Sequence, residues 1–282
     1  MTYSEVPQVE FLQVSDMRFA LGVEYDGSAF CGWQIQDNVR TVQQVLEQAV
    51  SKVVDEKIRL KCAGRTDTGV HGIAQVVHFD TSSIRDEKAL IFGSNTFMDG
   101  DVSVVWAKPV SEDFDARFSA QSRRYRYIIC NSAIRPALLR KHVCWNYRPL
   151  DVDKMAAAAT YLLGKHDFSS YRAAGCQAKS AVRDIQELEV SRSGDAVFID
   201  IKANAFLQHM VRNIAGVLMK IGAGEREPVW AKEVLEYRDR TKAGVTASPY
   251  GLYFVGAYYP ESFNLPQPVL SKHLIPSIQA GQ

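Results

Sequence analysis

The sequence has no apolar run long enough to cross a membrane, and its cysteines and histidines form no compact metal-binding pattern. A spanning helix needs about 18 or more consecutive apolar residues, so none is predicted. The five cysteines are widely spaced, with no Cys-x-x-Cys pair, which argues against a zinc knuckle or a disulfide framework. The six histidines form no His-x-x-x-His pair. We expect reduced cysteines that pack as small apolar side chains.

The N-terminal segment lacks the basic start and the apolar stretch of a secretory signal. We therefore expect a cytoplasmic protein that does not bind a membrane. The 282 residues are 46% hydrophobic and 23% charged, which is ordinary for a globular protein with a sizeable core. This length predicts one large or two medium domains.

Acidic residues are absent from residues 116–150, although the net charge of the whole chain is only +1. The same window holds eight cationic side chains: Arg117, Arg123, Arg124, Arg126, Arg135, Arg140, Lys141 and Arg148. A charge asymmetry of this kind can gather phosphates onto one surface. From charge alone, an ordinary solvated basic face is the simpler interpretation, and nucleic-acid binding is the alternative.

Alternating and helical spacings of apolar residues predict a mixture of strands and helices. Residues 18–25 alternate as a strand does, and Thr41 with Gln44 forms a capping box before a predicted helix over residues 41–55. Strands are also predicted at residues 76–79, 101–110, 124–130, 185–191, 197–203 and 252–259. Further helices are predicted at residues 153–163, 206–221 and 228–237.

No regular βαβ alternation and no glycine-rich phosphate fingerprint follow the first strand. These absences favour an α+β fold over a doubly wound one. Charge and strand order both change near Asp115. We therefore predict an N-terminal domain over residues 18–115, a C-terminal domain over residues 116–260, and terminal extensions at residues 1–17 and 261–282, the last of which we expect to be a loose tail.

The most unusual segment is residues 62–72, which read Cys-Ala-Gly-Arg-Thr-Asp-Thr-Gly-Val-His-Gly. Its glycines permit close approach of a ligand to the backbone. If the chain is extended there, Arg65 and Asp67 leave it on the same side. A neighbouring guanidinium favours an ionised carboxylate, which suits a nucleophile better than a general acid.

This segment has two other interpretations, one that involves no catalysis and one that involves a different reaction. Thr-Asp-Thr-Gly also forms a good tight turn, in which the aspartate bonds its own backbone. Asp-Thr-Gly occurs in aspartic proteases too, but those enzymes need two such aspartates, and this chain has one. The residues alone leave turn formation and catalysis both open.

A longer set of motifs resembles the tRNA pseudouridine synthase A family. Residues 63–71 resemble that family's signature, and residues 25–27 with 32–36 resemble its opening motif. Further matches follow in the family's order at residues 117–120, 124–127, 164–170, 206–213 and 251–253. The resemblance covers residues 18–260, and an ordered set of this kind is very improbable by chance.

The resemblance implies a fold, a reaction and a partner. The fold would be α+β, with two ferredoxin-like halves that form a central, mainly antiparallel sheet flanked by helices. The protein would be an isomerase that converts uridine to pseudouridine at positions 38, 39 and 40 of the tRNA anticodon stem-loop. It would act as a homodimer, with tRNA lying across both subunits, and would use neither a metal nor an organic cofactor.

The resemblance also assigns roles to individual residues. Asp67 aligns with the catalytic aspartate, and Tyr125 with the tyrosine whose ring lies on the target base. Arg212 would lie beside Asp67 and keep it ionised, whereas Arg65 would enter the RNA stem or hold its backbone. Leu252 would pack at the floor of the pocket, although a plain core leucine is an open alternative. The candidates for phosphate contacts are Arg123, Arg124, Arg126, Lys141, Arg172 and Lys179.

The sequence departs from the family pattern at Gln208, where many relatives have histidine, so we expect no functional histidine at that position. Two other function classes remain as alternatives. A catalytically silent tRNA-binding protein would use the same fold, but intact Asp67, Arg65, Tyr125 and Arg212 argue against it. A metal- or nucleotide-dependent hydrolase lacks a phosphate loop and ligand clusters in this sequence.

Overall fold

A computed structural model describes residues 17–269, which form one ten-stranded sheet with helices packed against it. The strands are β1 Met17–Tyr25, β2 Lys61–Cys62, β3 His71–Thr81, β4 Val102–Val110, β5 Ser122–Asn131, β6 Cys144–Asn146, β7 Gly164–Asp167, β8 Val182–Ser193, β9 Ala196–Ala203 and β10 Leu252–Tyr258. The helices are α1 Val42–Val54, α2 Ser94–Thr96, α3 Val152–Thr160, α4 Met210–Gly222 and α5 Trp230–Tyr237. Within this part of the chain, no helix has the length and apolar character needed to span a membrane.

The strand order is β4-β1-β3-β10-β5-β9-β8-β7, with β2 beside β3 and β6 beside β5. The pairs are antiparallel except for β3–β10 and β5–β6, which confirms the predicted α+β class with a mainly antiparallel sheet. Strand β10 lies between β3 and β5, so a single sheet runs through both predicted domains. The boundary near Asp115 and the ferredoxin-like character of the two halves stay predictions.

Helix α1 covers one face of the N-terminal strands. Leu46 and Val50 of α1 pack in one buried cluster with Leu21 and Val23 of β1. Ala20 belongs to the other large cluster, because successive side chains of a strand point to opposite faces. The alternation read from residues 18–25 therefore reports a strand with apolar contacts on both sides.

Helices α3, α4 and α5 contribute to a second, larger cluster with β5, β8 and β9. Tyr127 of β5, Ile199 of β9 and Leu218 of α4 are completely buried there. Burial of one such side chain contributes about 1.5–3 kcal/mol to folding. This cluster fixes α4 against the sheet, which matters because the N-terminal turn of α4 carries candidate site residues.

The structure confirms Thr41 as the N-cap of α1, because its Oγ1 accepts from the Gln44 N–H at 3.4 Å. Among the described residues, the Gln44 side chain makes no return bond to the Thr41 N–H, so the capping box is half formed. Two predicted helix limits are wrong. Helix α4 begins at Met210 and not at residue 206, because His209 has a left-handed backbone with φ 62°. Helix α3 ends at Thr160, and Gly164, with φ 87°, begins a strand instead of capping the helix.

The C-terminal segment was expected to be a loose tail, and this is wrong for residues 261–269. The Phe263 ring packs on the Phe114 ring at 5.1 Å between centroids, and Leu265 is buried. Lys108 Nζ donates to the Asn264 carbonyl at 3.0 Å. Apolar packing therefore orders the chain beyond β10. The predictions for residues 1–16 and 270–282 lie outside the described residues.

Candidate active site

The loop between β2 and β3, residues 63–70, is held by hydrogen bonds at both its ends and its middle. Ala63 N donates to Val76 O at 2.8 Å, and Gln75 Nε2 donates to Gly64 O at 2.7 Å. Trp33 N donates to Thr66 O at 3.0 Å. We call residues 63–70 the aspartate loop. Its backbone is fixed by groups from other parts of the chain, so the position of Asp67 is set by the fold.

Glycine is required where the segment after β1 meets the aspartate loop. Gly32 has φ 83°, and a Cβ there would lie 2.7 Å from Thr66 O. A Cβ on Gly27 would lie 2.0 Å from Val70 O. The hydroxyls of Tyr25 and Thr66 are hydrogen-bonded at 2.8 Å. The opening motif, residues 25–27 with 32–36, thus packs directly against the aspartate loop. This contact explains why both motifs are found in the same sequence.

Asp67 meets two basic side chains from the start of α4. Its Oδ2 lies 3.2 Å from Arg212 Nη1 and 3.4 Å from His209 Nε2. The Asp67 side chain is 29% exposed, so a ligand can reach the carboxylate. Arg212 Nε donates to Ala247 O at 2.8 Å, which fixes the plane of the guanidinium. The carboxylate is therefore oriented from one side and open on another.

His209 is a residue of this site that the sequence interpretation missed. Burial lowers the pKa of the His209 imidazole, and the positive charges of Arg212 and Arg240 lower it further, whereas the Asp67 charge opposes them. The imidazole is therefore neutral at pH 7. Its spacing from Arg212 gave no sign of this, because residue 209 has a left-handed backbone and lies just before α4 begins.

Tyr125 of β5 is 8% exposed, and its hydroxyl would lie 3.7 Å from a Cβ placed on Gly64 of the aspartate loop. Its ring makes edge-to-face contacts with Phe206 at 4.9 Å and with Phe254 at 5.2 Å between centroids. Burial raises the pKa of the Tyr125 phenol far above its usual range, and the Asp67 charge adds to this effect. Tyr125 is therefore a neutral aromatic ring with a fixed orientation.

The structure pairs Asp67 with Arg212 and not with Arg65, and it buries Leu252 in the core. Arg65 is exposed and is not among the ion-pair partners of Asp67, so the guanidinium next to the carboxylate comes from Arg212. Leu252, at the start of β10, is 5% exposed and lies in the larger apolar cluster. The functional roles of Asp67, Tyr125, Arg65, Arg212 and Leu252 stay predictions at this point.

Three arginines of β5 do not contribute to an exposed basic face, contrary to the sequence-based prediction. Arg126 is buried and forms a bidentate ion pair with Asp200, in which Nε–Oδ1 and Nη2–Oδ2 are both 2.8 Å. Arg124 is paired with Glu187. Arg123 donates to backbone carbonyls, among them Asn204 O at 3.0 Å. These three side chains are therefore held by carboxylates and carbonyls of the protein itself.

The side chains of Asp26, His71 and His142 form a cluster whose ligand atoms lie within 4.8 Å of one another. They line a cavity of about 330 Å³ that neither Asp67 nor Arg212 lines. His71 Nδ1 accepts from the Gly27 N–H at 3.1 Å, and His71 Nε2 is 2.9 Å from Lys141 O. Both ring nitrogens of His71 are thus hydrogen-bonded to the backbone, and Asp26, which follows β1, is 3.0 Å from His142 Nε2.

Comparisons with known proteins identify the family of this chain. A family model described as "tRNA pseudouridine synthase" matches residues 22–119 and 158–260. The tRNA pseudouridine synthase A of Hydrogenovibrio crunogenus is 56% identical over 255 residues, which cover 90% of this chain and 97% of that relative. The protein of the same name from Alcanivorax borkumensis is 56% identical over 260 residues, with 92% and 97% covered.

A third relative of the same name, from Nitrosococcus oceani, is 58% identical over 251 residues, which cover 89% of this chain and 97% of that relative. The matched residues of the family model include the aspartate loop and the start of α4. This protein therefore belongs to the tRNA pseudouridine synthase A family.

Proposed function

We propose that this protein isomerises uridine to pseudouridine at positions 38, 39 and 40 of the tRNA anticodon stem-loop, with Asp67 as the nucleophile. The observation that carries the proposal is the open carboxylate of Asp67, held 3.2 Å from Arg212 on a loop with a fixed backbone. Family membership supports the broader part, an isomerase that acts on uridine in tRNA.

The reaction breaks the bond between N1 and C1′, turns the uracil and joins C5 to C1′. C5 then loses its proton and N1 gains one, so that the product is an isomer of the substrate. The carboxylate of Asp67 adds to the ring at C6, attacks the sugar at C1′ or removes the proton at C2′. Each route needs one negatively charged oxygen against the ribose–base junction. Arg212 and His209 both lie beside Oδ2, which leaves Oδ1 as the oxygen that faces the nucleoside in each route.

Tyr125 would hold the target base after it leaves the stem. Extrusion of a nucleotide from a helix costs a few kcal/mol. Stacking on an aromatic ring returns roughly 1–3 kcal/mol per base, and contacts with Phe206 and Phe254 fix the Tyr125 ring in advance. Arg65, which is exposed, would fill the vacated position or hold the RNA backbone, and Leu252 would form the floor of the pocket.

The assembly is also part of the proposal. Two copies of this chain would form a homodimer that binds tRNA across both subunits, in the cytoplasm and without a cofactor. Two domains, over residues 18–115 and 116–260, would each contribute to the site. The second of these contributes Tyr125, His209 and Arg212, whereas the first contributes Asp67 and Arg65.

The test is an assay of the purified protein with unmodified tRNA transcript, without metal or nucleotide. Pseudouridine is mapped by carbodiimide labelling and primer extension. We expect product at positions 38, 39 and 40 in transcripts that carry uridine there. Binding without product would favour the catalytically silent RNA-binding alternative, and product at other positions would contradict the proposed target.

A further inference from the structure

Phe118 is an exposed aromatic residue in a motif that the proposed function leaves unused. It belongs to residues 117–120, in the turn before β5, and its side chain is 79% exposed. A single exposed apolar side chain is common and carries no meaning alone. The surroundings of Phe118 distinguish it, because the turn is fixed, joined to the aspartate loop and cationic.

The backbone of the turn is fixed by Asp115. Its Oδ1 accepts from the Arg117 N–H at 2.8 Å and from the Phe118 N–H at 3.0 Å. Ser119 N donates to Asp115 O at 2.9 Å, and Ser119 Oγ accepts from Asp115 N at 2.9 Å. Between them, Ala116 is completely buried. The fold therefore presents the Phe118 ring to solvent on a rigid support.

One guanidinium joins this turn to the aspartate loop. Arg123 donates to Ala63 O, the first carbonyl of the aspartate loop, at 3.3 Å through both Nε and Nη2. The same side chain donates to the carbonyl of Arg117. Arg123 therefore bonds both to the aspartate loop and to the carbonyl of Arg117, which is the residue next to Phe118.

Two cations surround this junction. The Arg117 guanidinium lies 5.3 Å from the centroid of the Phe118 ring. Arg65 belongs to the aspartate loop itself, and Arg117 is tied to the start of that loop through Arg123. Both Arg65 and Arg117 are exposed.

We propose that Phe118 is a positioning residue whose ring stacks on an unpaired base of the bound RNA, next to the nucleoside that reaches Asp67. This rests on the proposed function for the identity of the ligand. An exposed ring beside guanidiniums is the arrangement that binds single-stranded nucleic acid, because bases stack on the ring and phosphates pair with the cations. Paired bases in a stem hide their faces, so the ring fits a base in the loop or a flipped one.

The test compares Phe118→Ala, Phe118→Leu and Phe118→Tyr with the unchanged protein. The probe is an unmodified anticodon stem-loop RNA, and the dissociation constant, KM and kcat are measured in the same preparations. Loss of one stacked base weakens binding about tenfold or more, so we expect this loss for Ala and Leu and a near-normal value for Tyr. The larger effect should fall on KM and not on kcat.

The chain offers a matched control in Phe97, which is 50% exposed and has Lys52 Nζ 5.0 Å from its ring centroid. Phe97→Ala removes an aromatic–cation pair elsewhere and should leave RNA binding unchanged. Phe118→Trp adds a direct readout, because its fluorescence should fall on RNA addition by more than that of the unchanged protein.

Binding by Phe118→Leu equal to that of the unchanged protein would overturn the inference, since an aliphatic side chain cannot stack. A change in the sedimentation mass of Phe118→Ala would also overturn it and would place the ring at a contact between copies. If the unchanged protein forms pseudouridine while Phe118→Ala binds RNA normally, the inference alone fails. If the unchanged protein binds RNA and forms no pseudouridine, the proposed function fails instead.

Discussion

Arg212 Nη1 lies 3.2 Å from Asp67 Oδ2, although 145 residues of chain separate the two. Asp67 sits on a loop between two strands of the N-terminal half, and Arg212 sits in the first turn of α4. The larger apolar cluster brings these elements together, because it contains residues of the aspartate loop and of α4 alike. Packing of the apolar core thus creates the contact between Arg212 and Asp67.

Substitution of Arg212 should lower turnover more than it lowers stability. Arg212 donates both to Asp67 and to Ala247 O, and a lysine cannot make both bonds in the same geometry. A hydrogen bond to a charged group is worth about 1.5–3 kcal/mol, so Arg212→Lys should lower kcat by about 10- to 150-fold. Single-turnover pseudouridine formation measures this, with exposed Arg59→Gln as the control. A normal rate for Arg212→Lys would contradict the role.

His209 should control the acid side of the pH–rate profile. Its pKa is lowered by burial and by Arg212 and Arg240, so it becomes protonated only under acidic conditions. A protonated imidazole 3.4 Å from Asp67 would hold the carboxylate as an ion pair and compete with the nucleoside. We expect kcat/KM to fall at low pH, and His209→Asn should move that fall to lower pH.

Asparagine is the suitable replacement, because it tolerates the left-handed backbone of residue 209, where φ is 62°. Thermal unfolding of the variant checks that the start of α4 is intact. Identical pH profiles for the two proteins would show that His209 does not titrate next to the reacting carboxylate.

The stability of the protein should decrease below about pH 6.5. Burial lowers the pKa of His78 and of His71, so the unfolded chain binds protons that the folded chain does not. The free energy of unfolding therefore rises with pH. The contribution of the two neutral histidines is fully present above their unfolded pKa and is lost as the pH falls towards their folded pKa. Urea unfolding at pH 7.5, 6.5 and 5.5 measures this, and His78→Gln should reduce the slope. An unchanged slope would contradict this explanation.

Gly32→Ala should damage the aspartate loop. The left-handed backbone of Gly32 disfavours any side chain, and the added Cβ would lie 2.7 Å from Thr66 O. Strain of this kind costs about 1–3 kcal/mol and would shift the loop that carries Asp67. We expect both the free energy of unfolding, measured in urea, and kcat to decrease. Gly175→Ala is the matched control, since a Cβ there meets nothing within 4 Å.

The local patterns predicted much of the fold, because they report forces within a few residues. The Thr41 N-cap of α1 and the alternation of β1 are both found where expected. The start of α4 could not be found in this way, since the apolar spacing continues back to Phe206 although the chain turns at His209. The two-residue strand β2 exists only because it pairs with β3.

The site shows the same division between local and distant information. The aspartate loop stood out in the sequence because its glycines and charged residues are adjacent. The closeness of His209 to Asp67 depends on how α4 packs, which no spacing encodes. The internal pairing of Arg126 with Asp200 likewise depends on the register of β5 with β9, so a count of cations overestimated the exposed charge.

The most direct test of the account is pseudouridine formation by Asp67→Asn, which keeps the size of the side chain and removes its negative charge. The control is Asp153→Asn, at an exposed position in the first turn of α3. We expect Asp67→Asn to fold, to bind tRNA with similar affinity and to form no pseudouridine, whereas the control acts normally. Substantial product from folded Asp67→Asn would contradict the central claim.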